Sequence, residues 1–231
     1  MAVPASPTPS SPPPPPTLVI PEAVLRELHA KAAGETAPRL IVLSAPSGSG
    51  KDTVLRELRR RPLALHVAIT CTTRPRRPEE VDGVDYLFLD RAAFDELRQR
   101  GELLEDAEYA GHCYGVPKQP IREAISRGES ALLKIEVQGA SIVKHQNPQT
   151  LMIFLAPPDL EDLERRLRRR GKVDPADLRR RLAAAERELA AIPQYDYLVV
   201  NHVNRVHAAL HELTQINLAE RCRIRVTPLR L

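Results

Sequence analysis

Short apolar runs alternate with amphipathic stretches from about residue 40 onward. Residues 40–43, 66–69, 87–89, 103–107, 131–137, 151–155 and 197–200 read as strands. The run at 151–155, LMIFL, is apolar throughout, as in a strand buried on both faces. Between the strands, apolar residues recur three and four positions apart. That spacing predicts a helix from Lys51, with Val54, Leu55 and Leu58 on one face, and another over 91–100, with Phe94 and Leu97 inward. Further helices are predicted over 119–126, around Val143, after Pro157-Pro158 with Asp159 as cap, over 175–190 and over 206–218. A short helix is predicted at 21–31, with proline in its first turn. Strands and helices in alternation imply an α/β chain: an open, mostly parallel sheet with helices on both faces. Such sheets bind ligands beyond the carboxyl ends of their strands.

Two stretches break the pattern. Residues 70–86, TCTTRPRRPEEVDGVDY, read as a polar loop, and residues 111–115, GHCYG, as a turn that places Tyr114. Residues 1–17 are mostly Pro, Ser, Ala and Thr, too poor in apolar surface to offset ordering, so a disordered, polyproline-II-like tail is expected. It has neither the basic start and apolar centre of a secretory signal nor the arginines of a transit peptide.

Composition narrows the classes. A hydrophobic content of 42% supports a real core, and no apolar run approaches the roughly 18 residues that suggest a membrane span. Thirty-four basic against 30 acidic residues make a mixed surface, not that of a bulk nucleic-acid binder. Three widely spaced cysteines, Cys71, Cys113 and Cys222, read as reduced thiols of a cytoplasmic protein. The seven histidines lack zinc-ligand spacing.

The strand at 40–43 runs into Ser44-Ala45-Pro46-Ser47-Gly48-Ser49-Gly50, then Lys51 and a helix. Glycines let backbone N–H groups turn inward around phosphate oxygens, and the helix N-terminus adds partial positive charge. Lys51 would reach the outer phosphates. The pattern GxxxxGK[ST] is met in part. Ala45 stands at the first glycine, Asp52 at the Mg²⁺-binding hydroxyl, and Thr53 is the nearest hydroxyl. A glycine loop before a helix also serves as a plain cap; the preceding strand and the Gly-Lys pair favour phosphate binding. The polar stretch at 70–86 carries Arg74, Arg76 and Arg77. As a solvated loop it would be ordinary. Arginine forks hold phosphate bidentately, and a carboxylate accepts two hydrogen bonds from a guanine edge, so an anion site with purine recognition is the sharper reading.

In order along the chain stand SAPSGSGKDT, TTRPRRPEEVDGVDYLF, ELLEDAEYAGHCYG, VQGA, FLAPPDLEDLERRLRRRG and YDYLVVN. Together they resemble the guanylate kinases, over about residues 40–213. The resemblance implies a three-layer P-loop kinase with a mostly parallel sheet core, an inserted GMP-binding subdomain and a helical lid. It implies transfer of the terminal phosphate of ATP to GMP with Mg²⁺, giving ADP and GDP. ATP would lie along Ala45, Pro46, Ser47, Gly48, Ser49, Gly50, Lys51, Asp52 and Thr53, with Asn201 near the adenine. GMP would meet Thr70, Arg74, Arg77, Glu80, Tyr86, Glu105, Tyr114, Gly115 and Glu136. Of these, Arg74 and Arg77 would grip its phosphate, Tyr86 and Tyr114 would donate hydroxyls to it, and Glu105 and Thr70 would read the guanine. Lys51, Arg166, Arg170 and Arg181 are the implied catalytic cations, and Asp52 or Thr53 the Mg²⁺ ligand. Arg166 and Arg170 are four apart and share a helix face. Residues 159–188 hold ten basic and eight acidic residues, which is not a polyanion stripe.

The implied division is a tail at 1–19, a helix and linker at 20–37, the kinase domain at 38–222 and a basic tail at 223–231. Within the domain the core would be 38–69, 117–160 and 190–222, the GMP-binding part 70–116, and the lid about 161–189. The expected partners are ATP and GMP, without nucleic acid or membrane, in a monomer or homodimer. Three residues depart from the family pattern. Asp52 replaces a hydroxyl or small residue, Val116 a hydroxyl near the guanine, and Lys134 an acid two positions before Glu136. Asp52 also suits a ribose 1,5-bisphosphate phosphokinase, whose loop often reads GKD. A binding module without catalysis is the third reading; Gly48, Gly50 and Lys51, which such modules usually lose, are present.

Overall fold

The computed structural model describes residues 22–32, 38–109, 111–169 and 174–223. The proline-rich stretch at 1–19, Arg170 and residues 224–231 lie outside them. In chain order the elements are α1 (Glu22–Ala32), β1 (Leu40–Ser44), α2 (Lys51–Arg59), β2 (Leu65–Val67), β3 (Cys71–Thr72), β4 (Leu87–Phe88) and α3 (Arg91–Gln99). They continue with β5 (Leu103–Tyr109), β6 (His112–Pro117), α4 (Lys118–Ser126), β7 (Ser130–Lys134), α5 (Val137–Gln146) and β8 (Leu151–Ala156). The chain closes with α6 (Leu160–Arg169), α7 (Pro175–Leu189), β9 (Tyr197–Val200) and α8 (Val206–Arg221).

Five parallel strands in the order β2-β7-β1-β8-β9 form the central sheet. Successive side chains of a strand point to opposite faces, and here both faces are covered. Ile41, Leu43, Ile153 and Leu155 pack with Val54, Leu55 and Leu58 of α2 and with Leu210 and Leu213 of α8. Leu40, Val42, Leu133 and Met152 face the other way, onto Ile121 of α4 and Val143 of α5. Helix, sheet and helix make the three layers expected of the alternating pattern. A second sheet, β4-β3-β6-β5, is mixed: β3 pairs parallel with β4 and antiparallel with β6, and β5 with β6 forms a hairpin. Cys71, Phe94, Leu103 and Cys113 close its own small core.

Several local expectations change. Tyr114 lies on strand β6, not in a turn; the turn is earlier, where Gly111 takes φ +77 between β5 and β6. The polar loop at 70–86 contains β3, whose two residues are too few to leave a period in the sequence. Val137 begins α5 instead of ending β7; the apolar–polar alternation of Leu133-Lys134-Ile135-Glu136-Val137 imitates a strand past the point where β7 stops at Lys134. Helix α8 runs three residues beyond the expected end, to Arg221.

The reason for that extension is Glu220. Its carboxylate is 3% exposed and 2.7 Å from the Arg39 guanidinium, itself 4% exposed. Tyr197 donates its hydroxyl to the same carboxylate at 2.8 Å, and Arg39 Nε reaches the Glu220 carbonyl at 3.3 Å. The pair clips the start of β1, the start of β9 and the end of α8 together. Removing one partner of a buried ion pair leaves the other charge uncompensated. Glu220→Ala is therefore expected to lower unfolding free energy by roughly 3–5 kcal/mol in chemical denaturation. The double variant Arg39→Met/Glu220→Leu should regain most of it. Equal losses in the two proteins would show that stranded charge is not the cause.

Candidate active site

The loop after β1 leaves the carboxyl end of the central strand of the sheet, between β7 and β8. Ser44 fastens the exit, its hydroxyl donating to the Ile135 carbonyl at 2.9 Å. Gly48 and Gly50 take φ +96 and +88, values that L side chains rarely adopt. Both also need to be bare. A Cβ on Gly50 would stand 2.5 Å from Asn201 Nδ2, and one on Gly48 3.0 Å from Leu163 and Leu167. The Ser49 carbonyl accepts two hydrogen bonds, from Asn201 Nδ2 at 2.7 Å and from Arg166 at 3.1 Å. Arg166 also donates to the Asn201 carbonyl at 2.6 Å and pairs with Asp162, which is 2% exposed, at 2.6 Å. Asn201 and Arg166 thus hold the outside of the loop.

Lys51 opens α2, its ammonium donating to the Ala45 carbonyl at 3.4 Å. Burial, then the neighbouring Lys134, pull its pKa below the ordinary lysine value; Asp52, Glu136 and Glu188 oppose them. Glu188, in the last turn of α7, is pushed the other way by burial and by Glu136, with Lys51 opposing. Asp52 and Thr53 are exposed on the first turn of α2. Lys134 Nζ stands 3.3 Å from Asp52 Oδ1 and 3.4 Å from the Tyr86 hydroxyl. Among the described residues no three His, Cys, Asp or Glu side chains gather as a metal cage. One hard oxygen donor beside a phosphate loop still fits Mg²⁺, which is commonly held by one or two carboxylates and the substrate's phosphates.

Across the seam, the second sheet presents the arginine stretch. Glu80 organises it: Arg74 donates to its Oε1 at 2.7 Å, and the Arg77 amide to its Oε2 at 2.9 Å. Burial raises the Glu80 carboxyl's pKa, but the bonds from Arg74 and Arg77 outweigh it and leave it below the ordinary value. The Arg74 guanidinium lies 5.5 Å from the Tyr86 ring centroid, and Tyr86 meets Tyr114 edge-on at 6.2 Å. The Arg77 side chain is exposed. Of the expected anion clamp, Arg74, Tyr86 and Tyr114 lie in one cluster, organised by Glu80 and joined through Lys134 to Asp52, while the Arg77 side chain stands outside it.

Glu105 projects from β5 and is 8% exposed. Burial first, then the charges of Asp106 and Glu136, push its pKa up to about 7. Its carboxylate fits because residue 139 is glycine; a Cβ there would lie 2.8 Å from Oε2. Thr70 is buried, and Glu136 is exposed at the start of α5. Gly115 lies against Leu103, Phe94 and the Glu105 carbonyl, so its bareness serves strand packing. Val116, 1% exposed, belongs to the hydrophobic core with Ile121 and Leu104. Arg181 pairs with Asp177 of its own helix at 2.7 Å, and Arg170 lies outside the described residues. Three contributors went unread in the sequence: Gly139, Asp162 and Glu188. Only Gly139 left a signal, since glycine inside a helix costs about 1 kcal/mol relative to alanine and asks for a reason.

The family model for guanylate kinase matches residues 37–219. The chain belongs to the guanylate kinase family. A guanylate kinase of Gloeobacter violaceus is 47% identical over 188 residues, 81% of this chain and 91% of that protein. One of Thermus thermophilus is 48% identical over 185 residues, 80% of this chain and 83% of its own. The crystal structure of guanylate kinase from Anaplasma phagocytophilum superposes with a TM-score of 0.66 at 31% identity, covering 81% of this chain and 88% of that one. The guanylate kinase match spans both sheets and every helix from α2 to α7.

The geometry around Arg166 makes a prediction of its own. Arg166→Ala should destabilise the fold as well as the loop, by roughly 3 kcal/mol, because Asp162 would stay buried with only Arg165 to reach it. Denaturant titration checks this. Lost turnover with an unchanged unfolding midpoint would instead describe an arginine free to move with a lid.

Proposed function

We propose that this guanylate kinase transfers the terminal phosphate of ATP to GMP, giving ADP and GDP. The observation that carries this is the continuity of the two half-sites. Asp52 of the donor loop, Lys134, Tyr86 and Arg74 follow one another at hydrogen-bond and ring-contact distance. Phosphoryl transfer needs in-line placement and neutralised charge more than a covalent partner, and the cations along such a seam supply the neutralisation. In this reading Lys51 and the loop amides hold the ATP phosphates. Arg74, Arg77, Tyr86 and Tyr114 hold the GMP phosphate, and Glu80 holds the arginines ready. Glu105 and Thr70 read the guanine, and Glu136 serves near the GMP or the metal. Mg²⁺, bound with ATP beside Asp52 or Thr53, supplies further charge neutralisation. Residues 70–116 form the acceptor part and 161–189 the lid, with Arg170 and Arg181 contributed on closure. Arg166 and Asn201 keep the loop in shape from outside. Free Cys71, Cys113 and Cys222 suit a reducing, cytoplasmic setting, and no helix among the described residues is long and apolar enough to cross a membrane.

Asp52 also favours a ribose 1,5-bisphosphate acceptor. A buried carboxylate such as Glu105 has no use in that reaction, because the sugar offers no purine edge. Side-by-side transfer to GMP, AMP and ribose 1,5-bisphosphate decides between them. GMP is expected to be the best acceptor, and ranking it last would overturn the assignment. Undetectable ATP binding in calorimetry would favour a module without catalysis.

Glu105 adds a pH signature. Only its carboxylate accepts the two guanine N–H groups, and unliganded Glu105 titrates at about 7. Its folded pKa lies above the ordinary 4.5, so its burial costs stability as pH rises between the two values. GMP binding recovers part of that cost by supplying donors. GMP affinity is therefore expected to rise from roughly pH 6 to pH 8 and then level off, with proton release on binding. Calorimetry in buffers of different ionisation heat reads this directly. Glu105→Gln should remove that component, leaving only the titration of the phosphate; an unchanged profile in the variant would exclude Glu105 as its source.

A further inference from the structure

Two of the three departures from the family pattern, Asp52 and Lys134, are in contact. Lys134 reaches from the end of β7 to the first turn of α2, so the pair brings an enclosed ammonium group to the seam. We propose that Lys134 is a phosphate-binding residue for the acceptor nucleotide, exchanging its bonds to Asp52 and Tyr86 for the phosphate. The proposal rests on the assignment of Arg74 and Tyr86 to the GMP phosphate.

Lys134 ends β7, in register with Leu43 of β1, one residue before the phosphate loop begins. Parallel strands open on the same side, so its side chain rises at the carboxyl edge where ligands of such sheets sit. Its side chain is 19% exposed, while that of Asp52 is 71% exposed. The ammonium is therefore enclosed and its counter-ion is mostly in water, which screens the pair. Both of its hydrogen bonds, 3.3 and 3.4 Å, are longer than the usual 2.7–3.2 Å. It also lies 4.5 Å from the Tyr86 ring centroid, and Arg74 lies 5.5 Å from the same centroid. Three donors held loosely by one exposed carboxylate and one phenol are a place for a better acceptor.

The other charges point the same way. Lys134 is the chief charged neighbour that lowers the pKa of Lys51. Burial pulls Lys134 down as well, but Asp52 and then Tyr86 outweigh it, so it keeps its proton. Two ammonium groups near one another, one beside the donor loop and one beside the acceptor clamp, repel until phosphate lies between them. Among the acids close by, Glu136 is exposed, and Glu188 is shifted toward its neutral form. A GMP phosphate gripped by Arg74 and Tyr86 would take over the Lys134 bonds now given to Asp52 and Tyr86. Its charge would then be reduced on the side that faces ATP, where repulsion between the two nucleotides is greatest.

The test is binding of GMP and of guanosine to the full chain without ATP or Mg²⁺, in the natural protein and in Lys134→Met and Lys134→Arg. Loss of a charged hydrogen bond to phosphate is expected to weaken GMP about 10–100-fold in Lys134→Met. Guanosine, which lacks the phosphate, should change by less than about twofold, and Lys134→Arg should recover most of the GMP affinity. In turnover, KM for GMP should rise more than kcat falls. A non-hydrolysable ATP analogue is titrated in parallel. Unchanged GMP affinity in a folded Lys134→Met, equal losses of GMP and guanosine, or a loss confined to the ATP analogue would each overturn the proposal. Lys134→Gln, which keeps a donor for Asp52, supplies the same comparison if the methionine variant does not fold. Failure of the natural protein to bind GMP at all would instead remove the assignment on which the proposal rests.

Discussion

A loop that turns its amide hydrogens toward an anion must turn carbonyls outward, and each buried carbonyl needs a donor. Ser49 shows what that demands here. Its carbonyl is met by Asn201 from beyond β9 and by Arg166 from α6, residues 152 and 117 positions away. Each donor has its own support. Asn201 is set by its amide's bond to the Ala156 carbonyl at 2.9 Å, which extends the β8–β9 ladder. Arg166 is set by Asp162, whose own helix is capped when Asp159 accepts the Asp162 amide at 2.6 Å. Leu163 and Leu167 then close over Gly48. The glycines make the loop's conformation accessible, and the packing of β9 and α6 selects it.

The same packing gathers positive charge at the site. Lys51, Lys134 and Arg74 stand along the seam, while two of the acids around them, buried Glu105 and half-buried Glu188, are shifted toward their neutral forms by burial. Glu80 occupies the arginine side and Asp52 the lysine side. Low local dielectric makes the enclosed ammonium of Lys51 costly when alone and strongly attractive to an arriving phosphate. Arg74 and Lys134 already have carboxylate partners, so a polyanionic substrate would act by replacing those bonds and by meeting the enclosed ammonium of Lys51.

The fold was largely legible because its strongest signals are local. Residues 151–155 are apolar at every position, and β8 is buried at every position with helices on both sides. Lys51 begins α2 as the Gly-Lys junction implied, and Glu105 lies in a strand beside the seam. What escaped was decided by partners distant in sequence. Arg166 reads in the sequence as a lid cation; only the folded chain shows that its guanidinium also donates to the Ser49 carbonyl, 117 positions earlier. Glu220 lies past the expected end of the last helix and is explained by Arg39, 181 positions earlier. Asp52 and Lys134 look like two unrelated oddities 82 positions apart, and only the parallel pairing of β1 with β7 makes them neighbours.

Local rules are broken at three positions, and the breaks converge. Gly139 sits inside α5, where alanine would make the better helix. Glu105 buries a carboxylate on a strand, a placement that raises its pKa and costs stability at neutral pH. Lys134 puts an ammonium at the end of a strand otherwise buried throughout. Gly139 makes room for Glu105, the charge of Glu136 acts on both Glu105 and Lys51, and Lys134 acts on Lys51. Sequences that fold well agree with themselves at every level except where function demands otherwise. Here the disagreements lie on one side of the sheet, at the carboxyl ends of β1 and β7.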